Sequence, residues 1–137
     1  MKTPAPPHFL LFAALVPGGL MALLSTTVTG IALPDILGTL GSDVATGQWV
    51  TTAYMLAAGV AIPLSGWAST RFGLRTIWLA AMALFGLGAL MSFFAPGIES
   101  LIAARALQGF GGGALEPLMG TTLAAATPPA RMGRTMG

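Results

Sequence analysis

The sequence predicts an all-α membrane protein of four transmembrane helices, and three observations carry that prediction. Hydrophobic residues make up 55% of the 137-residue chain. Charged residues make up only 7%, against the ~25% usual in soluble domains. Most of those charges fall between long uncharged windows. Six basic and four acidic side chains cannot cover a water-soluble globule of this length, which excludes a soluble enzyme. With no cysteine there is no disulfide framework, thiolate zinc site or iron–sulfur cluster. A single histidine leaves no His-based metal site, and no metal, nucleotide or soluble cofactor is expected. A net charge of +2 without a dense basic patch excludes nucleic acid as a partner.

Residues 9–34, 44–70 and 76–98 carry no charge, and each window holds the ~20 apolar residues a spanning helix needs. A fourth apolar stretch, from Leu101 to about Ala126, also suits a span but contains Arg105 and Glu116. The expected spans are 10–33, 48–69, 76–95 and 101–126, within one transmembrane region at 10–127. A short proline-rich lead (1–9) precedes them, and a tail (128–137) follows. Lys2, Arg71, Arg75, Arg131 and Arg134 fall on one side of these spans; Asp35, Asp43 and Glu99 fall on the other. The positive-inside rule makes the first side cytoplasmic, together with both ends of the chain. Trp49, Trp67 and Trp78 stand at span ends, as an aromatic belt requires. A cleaved signal peptide is the competing reading of the start, but the apolar run is too long for one and no clear A-x-A site follows.

An arginine inside an apolar helix costs ~2.5–3.5 kcal/mol at mid-span, so Arg105 needs a reason. Either it snorkels towards headgroups about a turn from the helix end, or it faces a polar cavity beside Gln108. Glu116 lies eleven residues further on, on nearly the same helix face but ~16 Å down the axis. The two cannot pair directly. Glu116 is either a hydrogen-bonded packing residue or an intramembrane carboxylate that takes up and releases protons. Between them, Gly109 to Ala114 matches the letters of a dinucleotide-binding loop, without the strand before it or the acid after it. Gly109 and Gly113 read better as a G-x-x-x-G pair that lets a second helix approach closely. Ser25, Thr26, Thr27 and Thr29 in the first span, and Tyr54 in the second, carry two readings. Span hydroxyls usually bond back to their own helix; the alternative is cavity lining. Pro17, Pro63 and Pro117 are expected bends, and Met21, Met55, Met82 and Met91 read as adaptable packing.

The loop Gly66-Trp67-Ala68-Ser69-Thr70-Arg71-Phe72-Gly73-Leu74-Arg75 resembles the signature loop between helices two and three of the major facilitator superfamily. Leu101-Ile102-Ala103-Ala104-Arg105-Ala106-Leu107-Gln108-Gly109 is similar to its helix-four signature. Ala32-Leu33-Pro34-Asp35-Ile36, followed by Gln48-Trp49-Val50, resembles the drug:proton antiporter branch, in particular its fourteen-helix multidrug exporters. These motifs stand in order across nearly the whole chain. The resemblance implies the N-terminal four helices of a multidrug antiporter, multi-pass in the inner (plasma) membrane. Such a carrier effluxes amphipathic or cationic compounds against proton entry and needs no cofactor beyond the proton gradient.

In that reading Arg105 is a proton-coupling candidate, and Glu116 joins it on the residues alone, as a carboxylate to replace the missing helix-one acid and not as a family assignment; Gln108, Tyr54 and Ser25 are the substrate-cavity candidates. Gly66, Arg71, Gly73 and Arg75 form the gate loop. Four departures accompany the resemblance, one of them Gly30, where the family often has an asparagine. The loop acid is Thr70 here, the basic residue after Gly73 is Leu74, and the helix-one aspartate is Ser25. Arg131 to Gly137 resembles the lead into a fifth helix, which makes the chain the leading part of a longer carrier. Its expected partners are the remaining transporter helices or a second chain, the lipid bilayer, a small amphipathic substrate and a periplasmic adaptor of the kind some relatives use. Two rival expectations are an oligomeric four-helix drug exporter and a non-transporting membrane remnant or assembly subunit.

Overall fold

The computed structural model describes the backbone of residues 8–126 and the side chains of residues 17–121. Residues 1–7 and 127–137, which contain Lys2, Arg131 and Arg134, lie outside the described residues. The chain forms α1 (His8–Leu40), α2 (Val44–Phe72), α3 (Leu74–Phe93) and α4 (Ile98–Ala126). Among the described residues three helices are long and apolar enough to cross a membrane by length and composition: α1 from Pro17, α2 and α3.

The helix ends differ from the sequence expectation, and most of all in α1. That helix passes through both Pro17 and Pro34 and runs on to Leu40, beyond the expected end at 33. A proline removes one backbone donor, but ending a helix in an apolar medium strands several polar groups, so continuing is cheaper. The stop comes instead at Gly41, whose φ of 64° is the left-handed cap that glycine tolerates. Beyond it the Ser42 N–H bonds back to the Leu37 carbonyl at 3.0 Å, closing a Schellman motif. Asp43 then caps α2, its carboxylate accepting from the Thr46 N–H at 3.1 Å. The α2–α3 connection is the single residue Gly73, at φ 87° and ψ 142°. Its N–H donates to the Ser69 carbonyl, and its own carbonyl accepts from the Ile77 N–H, so one residue closes one helix and opens the next.

The central helix is α4, packed between α2 and α3, with α1 lying more loosely across α4 and α2. Small residues allow the close approach. A Cβ added at Gly109 would stand 2.8 Å from Tyr54 Cα, and one at Gly113 only 2.7 Å from Ala58 Cβ. These two glycines therefore lie on the α2 side of α4. On its other side Gly111 meets α3, where an added Cβ would be 2.6 Å from the Ala81 carbonyl oxygen. Gly88 of α3 in turn lets the Gln108 backbone of α4 come near. Below these crossings Ala61, Ala81, Ala114, Leu115 and Leu118 form the buried core, flanked by Trp78 and Phe110. Packing of small groups, and not burial from water, holds such helices together in lipid. That packing fixes the rotation of α4, and the rotation decides where Arg105 points.

Candidate functional site

Arg105 is only 3% exposed, one turn before Gln108 on α4. Three helices meet its guanidinium. From α2, the Tyr54 ring lies beneath it with Cζ 4.4 Å from the ring centroid, a cation–π contact strengthened by the burial of Arg105. Within α4, Nη1 donates to Gln108 Oε1 at 2.6 Å. From α1, Ser25 Oγ accepts from Nη1 at 3.1 Å and from Gln108 Nε2 at 2.9 Å. Arg105 Nε is buried with no hydrogen-bond partner among the described residues. The snorkelling alternative is therefore not what the geometry has: the side chain is enclosed in a polar cluster.

The hydroxyls of α1 divide into two groups. Thr26, Thr27 and Thr29 bond back to the carbonyls of Leu23, Leu23 and Ser25 at 2.8, 3.0 and 2.7 Å. Among the described residues of α1, Ser25 is the hydroxyl that reaches across to another helix. The cluster forms one wall of a cleft of about 300 Å³, which Thr29, Ser92, Phe93 and Leu101 also line. Ser92 was not singled out from the sequence; its hydroxyl bonds to the Gly88 carbonyl, as span hydroxyls commonly do.

Glu116 is in a different place. It is exposed and lines a second cleft of about 150 Å³ with Thr26, Ala58 and Gly113. Tyr54 borders this cleft as well, so one tyrosine separates the arginine cluster from the carboxylate. No ion pair joins Arg105 and Glu116 among the described residues. The structure thus gathers Arg105, Gln108, Ser25 and Tyr54 into one cluster and leaves Glu116 beside it.

Of the gate-loop residues, Gly66 and Arg71 lie in the last turns of α2, about 18 and 25 Å from Tyr54 by helix rise; Gly73 is the turn and Arg75 lies in α3. Arg71 and Arg75 are exposed, and Arg71 lies 6.0 Å from the Phe72 ring centroid. Phe72 packs edge-on to Trp67 at 6.3 Å. Thr70, where the resemblance has an acid, bonds to the Trp67 carbonyl at 2.7 Å. At the opposite end of α2, the hydrogen bonds from Thr46 hold the Asp43 carboxyl below its usual range. No group of three or more His, Cys, Asp or Glu suited to a metal occurs among the described residues.

A helix bundle of this kind, with three described helices long and apolar enough to cross a membrane and a buried arginine enclosed between helices, is that of a multi-pass membrane protein. The comparisons specify which type. The profile of the Major Facilitator Superfamily matches residues 15–137. The chain belongs to that family and is a multi-pass protein of the inner membrane. It is 41% identical to an uncharacterized MFS-type transporter, YhcA, of Bacillus subtilis over 93% of this chain and 24% of that protein. A multidrug resistance protein B homolog of Mycobacterium tuberculosis is also 41% identical, over 85% of this chain and 22% of its own length. The fatty acid resistance protein FarB of Neisseria gonorrhoeae is 39% identical over 81% and 22%. The chain thus spans about a quarter of the length of the curated relatives it matches. No solved structure gives a significant match. The family consists of transporters, not enzymes.

Proposed function

We propose that the protein serves proton-coupled efflux of drugs or other amphipathic compounds, with the cluster around Arg105 and the carboxylate of Glu116 as its charged working parts. The observation that carries this reading is the enclosure of Arg105 among Ser25, Gln108 and Tyr54 on three helices. A charge kept inside a membrane bundle at such cost is retained for a pathway or a relay. Glu116 supports the proton half of the reading, because it is a carboxylate within α4 that lines a cleft, and an ionisable residue at such a place marks a pathway or a relay. The names of the relatives, which speak of multidrug and fatty acid resistance, support amphipathic cargo. In this reading Gly66, Arg71, Gly73 and Arg75 lie on the cytoplasmic face as a gate loop, because the positive-inside rule favours arginine there. The remaining transporter helices, or a second chain, complete the path.

The test is uptake of an amphipathic dye into inside-out proteoliposomes carrying the complete protein. An imposed pH gradient should drive accumulation, and a protonophore should abolish it. Dye movement indifferent to the gradient would remove proton coupling.

A further inference from the structure

The hydrogen-bond inventory of the Arg105 cluster is unbalanced in one direction. A serine hydroxyl has two acceptor lone pairs and one proton to give. Ser25 Oγ accepts from both Arg105 and Gln108, so its lone pairs are used. Its proton has no acceptor among the described residues. Gln108 likewise spends its oxygen on Arg105 and its nitrogen on Ser25. A guanidinium has five N–H donors. Only those of Nη1 are engaged; Nε is buried without a partner, and Nη2 makes no hydrogen bond among the described residues. Apart from the second lone pair of Gln108 Oε1 and the Tyr54 hydroxyl, the unspent groups around the guanidinium are donors, and no carboxylate pairs with the positive charge among the described residues. A serine stands where an aspartate would have accepted both the bonds and the charge.

The cluster borders an open cleft of about 300 Å³ whose other walls combine the hydroxyl-bearing Thr29 and Ser92 with the apolar Phe93 and Leu101. A ligand suited to it has a small anionic group, rich in acceptors and without donors, attached to an apolar body. A carboxylate meets the first requirement, and a guanidinium binds one in planar, charge-assisted geometry. We propose that Arg105, Ser25 and Gln108 form a receptor for the carboxylate of an amphipathic anion, and that the cargo class is anionic rather than cationic. The word cargo rests on the efflux reading above; the anion site itself does not.

The experiment uses the complete protein in nanodiscs of a zwitterionic lipid, with 11-(dansylamino)undecanoate as fluorescent probe and its methyl ester as the uncharged control. Wild type should bind the acid about tenfold or more tighter than the ester, since the ester keeps an accepting oxygen but loses the charge that strengthens a bond from guanidinium. Ser25→Asp supplies an internal carboxylate to Arg105 and should bring acid and ester to equal affinity, with a thermal midpoint no lower than that of wild type showing that the variant folds. Equal affinity for acid and ester in wild type, or a preference surviving in Ser25→Asp, would overturn the proposal. An acidic phospholipid headgroup offers the same anionic chemistry, so binding is repeated with phosphatidylglycerol in the disc. An unchanged affinity supports the amphipathic carboxylate, whereas strong competition would make this a lipid site and overturn it. No proton gradient enters these measurements. A failure of proton coupling therefore appears only in the proteoliposome assay and is distinguishable from a failure here.

Discussion

Ser25 Oγ stands 3.1 Å from Arg105 Nη1, a bond that ties α1 to α4 across 80 residues of chain. Elsewhere α1 sits more loosely on the bundle than α2 or α3 does. The polar tie between α1 and α4 passes through one hydroxyl that serves two donors. A side chain one position away, Thr26, spends its hydroxyl on its own helix instead.

Ser25→Ala removes both of those bonds and adds no charge. Interhelical hydrogen bonds in membranes are worth roughly 0.6–2 kcal/mol, and the loss should be of that order. Thr27→Ala, which deletes only a bond within α1, should cost less. Equilibrium unfolding in mixed micelles measures both, and equal destabilisation of the two variants would deny Ser25 its bridging role.

The glycines of α4 should respond by side. Gly109→Ala and Gly113→Ala place a methyl within 3 Å of α2; overpacking of this kind costs ~1–3 kcal/mol. Gly30→Ala, with nothing within 4 Å of its added Cβ, should be neutral to stabilising. Thermal midpoints in detergent are the measurement. A Gly113→Ala protein as stable as wild type would mean that α2 and α4 do not cross where the structure has them.

The two gate-loop glycines should behave in opposite ways. Gly73 has φ 87° and ψ 142°, a backbone region close to glycine-only, and an alanine there costs ~1–3 kcal/mol. Gly66 lies inside α2 with open space around it, where alanine is the better helix former by up to ~1 kcal/mol. Gly73→Ala should lower the unfolding midpoint and Gly66→Ala should raise or preserve it. The same sign for both would contradict the one-residue turn.

How much of this was legible beforehand depended on whether a property was local. Charge spacing marked the positions of the helices because water and lipid act on every residue separately. Gly109 and Gly113 were readable as a close approach because their spacing repeats on one face. The end of α1 was not, since Pro34 looks like a stop and only the cap at Gly41 reveals the true one. Gly88 passed unnoticed as one small residue in an apolar run, although Gly86-Leu87-Gly88 carried a faint signal. The cross-helix bond of Ser25 was beyond reach for a different reason. Four hydroxyls within five residues look alike, and only the rotation of α1 against α4 selects one.

The turn before α2 carries a pH dependence whose sign is fixed. Hydrogen bonds from Thr46 lower the Asp43 carboxyl, so the ionised form is favoured in the folded state. The cap is then fully present above the unfolded value of ~3.9. It is lost as pH falls through the lower folded value. The Thr46 amide resonance in micelles should shift across that acid range and stay constant above it. Asp43→Asn retains an accepting oxygen without titrating, and should leave the Thr46 signal flat throughout. A shift that persists in Asp43→Asn would assign the titration to another group.

Glu116 tests the division of labour between the two clefts. It lines a cleft that Tyr54 also borders, and it makes no ion pair with Arg105 among the described residues. Glu116→Gln keeps the shape and removes the carboxylate. In the complete protein, export driven by a pH gradient should disappear. Counterflow, in which preloaded and external substrate exchange without a gradient, should persist because the anion-binding residues are intact. Undiminished gradient-driven export would remove Glu116 from the mechanism and leave Arg105 as the charged coupling candidate in the described spans. Loss of counterflow together with export would instead place Glu116 in the cargo path and join the two clefts into one site.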